Sequence, residues 1–260
     1  MEKNTQNYDD LSFQILVSSI NNAVPEIGHG DYLVINQILD DRLPEINREH
    51  VFNYYEKGIS KSRNRALEKA TGDICLISDD DIQFKHDIKN KILNAFRQHP
   101  RADAITFQIE TPDGDYYKDY STEKFWHNPK TLMNVSSVEI AFRRKSVMAN
   151  QLKFDELFGL GGKFPTGEEF IFLTDALKKG LHILYVPEVI VVHPKESWGD
   201  KWYIPKYIKS KGALLYRVFG WKAYIWALIL SFKKYSDSDF SFSHYLGHMI
   251  EGMKEYRKQQ

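Results

Sequence analysis

Asp79, Asp80 and Asp81 stand side by side at the end of the apolar run Ile74-Cys75-Leu76-Ile77-Ser78. Like charges a few Å apart raise each other's pKa and oppose compact structure, so the triplet asks for solvent, a basic partner or a metal ion. Carboxylate oxygens suit hard cations such as Mg²⁺ and Mn²⁺, and Mg²⁺ usually takes one or two protein carboxylates, completing its shell with water and substrate phosphates. A metal ion bridging the diphosphate of a nucleotide is therefore the chemistry this spacing points to. A solvated acidic turn is the plain alternative.

The surrounding elements decide whether the triplet sits where ligands bind. "LSFQILVSSI" (11–20) and "DYLVINQIL" (31–39) read as strands joined by a Pro/Gly/His-containing loop. "SKSRNRALEKATG" reads as a helix, with Ser60 as its cap, Ala66, Leu67 and Ala70 as its apolar side, and Gly72 just past its end. "ICLIS" is apolar throughout, the pattern of a strand buried on both faces of a parallel sheet. Ile88, Ile92 and Phe96 predict a helix that Pro100 terminates, and "ADAITFQI" returns to strand. "SSVEIAFRR" reads as strand, "GEEFIFLTDALKKG" as a helix closed by Gly180, and "LHILYVPEVIVVH" as one or two strands. Strands alternating with helices mean an α/β sandwich with a mostly parallel sheet. In such sheets ligands bind beyond the carboxyl ends of the strands, where the aspartates then lie.

From Pro112 to Pro129 the chain is polar and aromatic without clear period, which suggests a functional loop or lid. Tyr116, Tyr117 and Trp126 are its candidates for stacking on a sugar or simply packing on the domain. After His193 the character changes, and the tail from about Trp198 is helical by pattern. Within it, "WKAYIWALILSFKKY" holds an apolar run flanked by Lys222, Lys233 and Lys234, suited to a buried or interfacial helix better than a spanning one.

The balance of 35 basic and 35 acidic residues argues against nucleic acid binding by a globally basic surface. Cys75 is the only cysteine, which excludes an intramolecular disulfide and a Cys-rich zinc site and fits a reducing compartment. The start "MEKNTQNYDDLSFQ" lacks the pattern of a secretory signal, and no run reaches the roughly 18 apolar residues of a spanning helix. A cytoplasmic protein, peripheral at most to the inner face of the membrane, is expected.

"SKSRNRALEKATGDICLISDDD" resembles the nucleotide-sugar-binding segment of family 2 glycosyltransferases with the GT-A fold, where a Ser-Arg-Asn-bearing helix leads into a strand ending in a DxD motif. "FDELFGLGGKFPTGEEFIFLTDALKKG" is similar to the acceptor-side segment of the same family, and together the matches cover about residues 11 to 195. The implied fold is a GT-A-type, Rossmann-like α/β/α sandwich with a C-terminal helical extension: a catalytic domain over 1–197, with nucleotide-sugar binding about 11–110 and acceptor binding about 111–197, then an extension over 198–260.

The implied chemistry is inverting transfer of a sugar from a nucleoside-diphosphate donor, with uridine the family's usual base, to a hydroxyl of a glycan or lipid-linked acceptor in cell-surface polysaccharide synthesis. The resemblance makes Asp81 a ligand of Mn²⁺ or Mg²⁺, puts Asp79 on the donor's ribose or the metal's water shell, and counts Asp80, the intervening position, with the nucleotide-sugar-binding residues. His193, at the end of "VIVVH", completes the metal shell or is structural. The family's base is usually the second member of an acidic pair, so Glu169 is the first candidate and Glu168 the alternative, while both also offset a helix dipole. Arg63 and Arg65 are candidates for phosphate or nucleotide contacts, with a surface role the alternative for one of the two. Ser18, Ser19, Asn36 and Asp40 are the polar groups available at the base-binding end, where "INQILDD" departs from the commoner Asp-Asp-Gly-Ser ending. A non-catalytic nucleotide- or glycan-binding module is the competing reading. A haloacid-dehalogenase-type phosphatase and a nucleotidyltransferase fit less well, because the first lacks its Thr after the second Asp and the second its Gly-rich first loop.

Overall fold

A computed structural model describes residues 11–23, 31–195 and 203–259. The loop of residues 24–30 and the start of the tail near Trp198 lie outside the described residues. In chain order the elements are β1 (Phe13–Ile20), β2 (Tyr32–Gln37), β3 (Val51–Tyr54), α1 (Ile59–Lys69), β4 (Ile74–Asp79), β5 (Gln83–Phe84), α2 (Ile88–Gln98), β6 (Ala104–Glu110), β7 (Phe125–Trp126) and β8 (Ile140–Arg143). They continue with α3 (Arg144–Ala149), α4 (Glu168–Lys178), β9 (Ile183–Val192), α5 (Pro205–Phe219), α6 (Ala223–Lys234) and α7 (Phe242–Arg257). The chain divides into two compact units, one of Met1–Lys57, Ser62–Lys153 and Asp175–Lys195, the other of Gly58–Lys61, Phe154–Thr174 and Glu196–Gln260.

The first unit holds one sheet in the order β3-β2-β1-β4-β8-β6-β9-β5, with β7 added to β9. β1 to β4 run parallel, β8 is antiparallel to β4 and β6, and β9 is parallel to β6. The long strands thus share one direction. Ile74, Cys75 and Leu76 of β4 are fully buried, as an apolar run between two neighbours requires. The chain leaves β1 toward β2 on one side and returns to β4 on the other, which makes the β1/β4 boundary a topological switch point.

Local differences from expectation have visible causes. α1 starts at Ile59, so Ser60 lies inside its first turn and donates its hydroxyl to the Phe158 carbonyl at 2.7 Å instead of capping the helix. Gly72 lies beyond the helix end, where its N–H and that of Thr71 meet Gln14 Oε1. Glu139 belongs to a 3₁₀ turn, Ser137–Glu139, that precedes β8. β9 is a single strand whose pairing with β6 shifts register on either side of Gln108, opposite the stretch that contains Pro187. The polar, aromatic segment is stitched to the sheet by β7, where Phe125 pairs with Tyr185, and by a bridge from Tyr116 to Glu110.

In the second unit α5 and α7 approach at backbone distance. A Cβ on Gly212 would lie 2.0 Å from the Met249 carbonyl oxygen, and one on Gly252 would lie 1.9 Å from that of Lys209. Tyr245, Met249 and Met253 fill the core with Ile208, Leu215, Ala223 and Ala227. Pro205–Asp237 forms one helical run of 33 residues that is apolar and long enough to cross a bilayer by length and composition, although its apolar residues are not contiguous in sequence. Gly220, with φ 58°, interrupts its α-helical geometry between α5 and α6.

Gly212→Ala and Gly252→Ala are expected to lower stability by at least ~1–3 kcal/mol, because neither backbone contact can yield without moving a helix. Gly247→Ala, in the same α7 but facing open space, is expected to leave stability unchanged or raise it by up to ~1 kcal/mol. Thermal denaturation of the three variants checks both.

Candidate active site at the carboxyl ends of β1, β4 and β9

The parallel register sets Ser18 of β1 opposite Asp79 of β4, and Ser19 opposite Asn36 of β2. Helix α1, crossing from β3 to β4, turns Ser62, Arg63 and Asn64 inward, and all three are buried. Ser62 donates its hydroxyl to that of Ser18 at 2.9 Å, and Arg63 Nη2 lies 3.1 Å from Asp79 Oδ1. Arg63 therefore fixes one orientation of the Asp79 carboxylate, which stays partly open to solvent. Arg65 points elsewhere: it pairs with Glu56 and Glu68 and covers the Tyr54 ring, a surface role.

Asn36 is fully buried and its amide is spent on the scaffold. Nδ2 donates to Asn22 Oδ1 at 2.7 Å and Asn53 Oδ1 at 2.8 Å, while Oδ1 accepts the Asn22 N–H at 3.0 Å. Asn22 has φ 66°, a backbone state that asparagine tolerates better than most residues.

The three carboxylates have different partners. Asp80 accepts the Ile20 N–H at 3.3 Å, and burial raises its pKa despite that bond. Asp81 faces His193, with Oδ1 3.5 Å from Nε2. The short strand β5 makes this meeting possible. It folds back directly after the triplet, pairing Gln83 with Val192 and so bringing the end of β9 beside Asp81. The Glu110 carbonyl accepts the His193 N–H at 2.9 Å, and Tyr117 packs edge-on to the imidazole.

His193 Nδ1 lies 2.6 Å from the Pro194 carbonyl oxygen, so it carries the proton and Nε2 is the atom left for a ligand or a second proton. A metal-ligating histidine commonly donates its other N–H to a backbone carbonyl in this way. Asp81 Oδ1 and His193 Nε2 are then two donors facing one point, suited to a cation whose other positions are filled by water and phosphate. Among the described residues no group of three or more His, Cys, Asp or Glu side chains is placed to hold a metal. The donor pair fits a metal shared with a substrate and does not make a closed structural site.

The acidic pair opens α4 in the second unit. Glu168 is buried, and its carboxyl group lies against Gly159, where an added Cβ would come within 3.0 Å of the carboxyl carbon. Gly159 has φ 91°, so both conformation and space call for glycine there. Arg217 Nε anchors the same loop through Asp155 Oδ2 at 2.8 Å. Glu169 is half-buried.

Of the stacking candidates, Tyr116 and Trp126 are exposed and Tyr117 serves His193. Sequence reasoning missed a cavity of about 510 Å³ in the first unit, lined by Lys118, Tyr120, Phe125, His127, Glu139 and Tyr185 among others. Burial raises the pKa of Glu139, opposed by Lys118 at 2.8 Å and the Tyr120 hydroxyl at 2.5 Å. Burial also pushes His127 down to about 4. The only sequence signal was the aromatic density of the 112–129 segment, which does not say which rings turn inward.

The family model for glycosyl transferase family 2 matches residues 33–162, a span that includes α1, Asp79, Asp80 and Asp81. The chain belongs to that family. This family 2 glycosyltransferase matches no curated protein sequence. Among solved structures, Staphylococcus aureus TarS 1-349 is similar over 95% of this chain and 92% of that one, with TM-score 0.53 and 12% identity. TarS 1-349 in complex with UDP-GlcNAc gives TM-score 0.57 at 12% identity, covering 96% of this chain and 93% of that one. In a longer TarS structure the match covers 85% of this chain and 43% of that one, with TM-score 0.52 and 14% identity. These likenesses establish the GT-A glycosyltransferase fold.

The Asp81–His193 pair has a titration signature. The Asp81 hydrogen bond holds the His193 pKa above its ordinary 6.5, and the same bond holds Asp81 below 3.8. The stabilisation from His193 is full below pH 6.5 and is lost as pH rises through the raised value. That from Asp81 is present above 3.8 and is lost as pH falls through the lowered value. NMR titration of the metal-free protein is expected to place the His193 midpoint above 6.5, and Asp81→Asn is expected to bring it down to 6.5 or lower.

Proposed function

We propose that this family 2 glycosyltransferase moves a sugar from a nucleoside diphosphate, with UDP the expected nucleotide, to a hydroxyl of a glycan or lipid-linked acceptor with inversion. The observation that carries the reading is the Asp81–His193 donor pair beside the Arg63–Asp79 ion pair, at the carboxyl ends of β4 and β9. TarS, which shares the fold, has been crystallised with UDP-GlcNAc and with UDP, which supports a nucleotide-sugar donor. Cell-surface polysaccharide synthesis on the cytoplasmic side is the setting that belongs to this reading.

Asp81 and His193 would hold Mn²⁺ or Mg²⁺. Bound there, the ion supplies positive charge to the diphosphate as it departs. His193 presents Nε2 because Pro194 fixes the proton on Nδ1. Asp79, oriented by Arg63, receives the ribose hydroxyls or the water shell, and Arg63 adds positive charge beside the phosphates. Asp80, half-buried and accepting the Ile20 N–H, holds the β1 and β4 ends together. Ser18 lies next to Asp79 in the sheet and lines the nucleoside side.

A carboxylate of the acidic pair takes the proton from the acceptor hydroxyl as that oxygen attacks the anomeric carbon, where an oxocarbenium-like transition state is expected. Glu169 is the first candidate and Glu168 the alternative. The buried seat of Glu168 against Gly159 suits either a base held ready or an anchor for the loop, so the two need separate substitution.

With Mn²⁺ present, at least one nucleotide sugar from a donor panel is expected to raise the melting temperature, because a ligand that binds only the folded state stabilises it by mass action. Asp81→Asn should abolish the metal-dependent part of that shift. Loss of the base should cut transfer about 10²–10⁴-fold with donor binding intact, and whichever of Glu169→Gln and Glu168→Gln does so identifies it. Absence of a shift with every donor and either metal would overturn the proposal.

A further inference from the structure

Helix α6 is built inside out. Ile225, Leu228, Ile229 and Phe232 recur at i, i+3, i+4 and i+7, so they share one face, and they are 54%, 48%, 42% and 74% exposed. Trp221, one turn earlier, is 70% exposed, and Trp226 at the margin is 42% exposed. The small residues Ala223, Ala227 and Ser231 turn fully inward, toward the Tyr245–Met249–Met253 core, and Tyr224 and Leu230 pack against it partly buried. A helix that only completes a soluble core buries its large apolar side chains and leaves small or polar ones outside. Contiguous exposed apolar surface of this kind marks a partner.

The charges around the face name the class of partner. Residues 205–235 carry seven Lys or Arg and no Asp or Glu, and carboxylates return only at Asp237 and Asp239. Lys209, Arg217 and Lys234 have carboxylate partners in Glu251, Asp155 and Asp237. Lys222 and Lys233 are exposed at the two ends of the apolar row. We propose that α6 lies in the headgroup region of an anionic lipid bilayer, with Trp221, Ile225, Leu228, Ile229 and Phe232 inserted and Lys222 and Lys233 on the phosphates.

Two other occupants fit less well. A second copy of the chain docked face to face would set this cationic margin against its own image. A spanning helix would need about 30 Å of apolar length, whereas the 12 residues of α6 rise about 18 Å. The preceding α5 cannot extend it, because Ile208, Ala213, Leu214 and Leu215 are committed to the interior of the protein. Trp221 and Trp226 supply the amphipathic rings that favour the level of the headgroups. The docking rests on α6 alone and not on the transferase reading.

The test is flotation of the full chain with vesicles of phosphatidylcholine containing 30% phosphatidylglycerol, and with phosphatidylcholine alone, read together with tryptophan fluorescence. Expected are binding to the anionic vesicles with a blue shift, weakening by salt, and little binding to neutral vesicles. Trp221→Asp/Phe232→Asp should reduce binding at least tenfold with the melting temperature unchanged, since both side chains are outside the core. Lys222→Glu/Lys233→Glu should reduce it and flatten its salt dependence. No binding to anionic vesicles, or equal binding by the apolar double variant, overturns the proposal. So does a dimer that Trp221→Asp/Phe232→Asp abolishes while vesicles leave the wild type unbound, which would make the face an interface between copies. If either double variant unfolds, Ile229→Ser and Lys233→Gln singly carry the same expectations. The donor-panel melting shift, measured on the same variants, separates failure of docking from failure of the transferase reading.

Discussion

Adjacent like charges at the end of a buried strand cannot all be left to one environment, and here each of the three aspartates is answered by a different element. Asp79 is held by Arg63 from α1, Asp80 by the Ile20 N–H at the end of β1, and Asp81 by His193 at the end of β9. The arrangement also runs in reverse. Arg63 is only 4% exposed, and a buried guanidinium needs a carboxylate to keep it. The crossover through α1, the β1/β4 register and the return through β5 thus meet in one set of charge contacts at the carboxyl ends of the strands. Repulsion within the triplet becomes a means of dividing labour: one carboxylate is oriented by Arg63, one is half-buried against the end of β1, and one is left 67% exposed.

Much of this was legible because the relevant signals are short in range. The unbroken apolar character of Ile74–Ile77 marks a strand covered on both faces, and helix periodicity around Ile92 and Phe96 survives into α2. The proximity of Asp81 and His193 was anticipated only through likeness to a family, since neither spacing nor pattern reports a contact between residues so far apart. What carries it, β5, has two residues, too few for alternation to register. Val51–Tyr54 escaped for a similar reason. Ser60 illustrates the opposite error: a good capping residue sits in the first turn because its hydroxyl finds the Phe158 carbonyl, and tertiary context overrides the local preference.

The polar residues near the site show how far residue type alone can take an assignment. Asn36 was a candidate for the nucleobase, but a fully buried amide with partners on both atoms belongs to the framework. Arg63 and Arg65 are equivalent on paper, and only the roughly 200° of helical rotation between them separates a buried guanidinium from a surface one. Asp80 is a donor-binding candidate by type, and the partner the fold gives it is the backbone N–H of Ile20. Type predicts chemistry; direction, set by the fold, decides who performs it.

The pairing of β5 with β9 also sets an order in time. Synthesis delivers β1 to β4 early, while β9 and His193 follow only after β6, β7, β8 and α4. Until then Asp81 leaves the ribosome without its imidazole, and β6 has no parallel neighbour. A chain interrupted before residue 183 would keep the strand ends carrying Ser18, Asn36 and Asp79 but would lack the residue that pairs with Asp81. The last strand to be made is the one that completes the charge balance of the first half, so maturation of this centre is a late, long-range event.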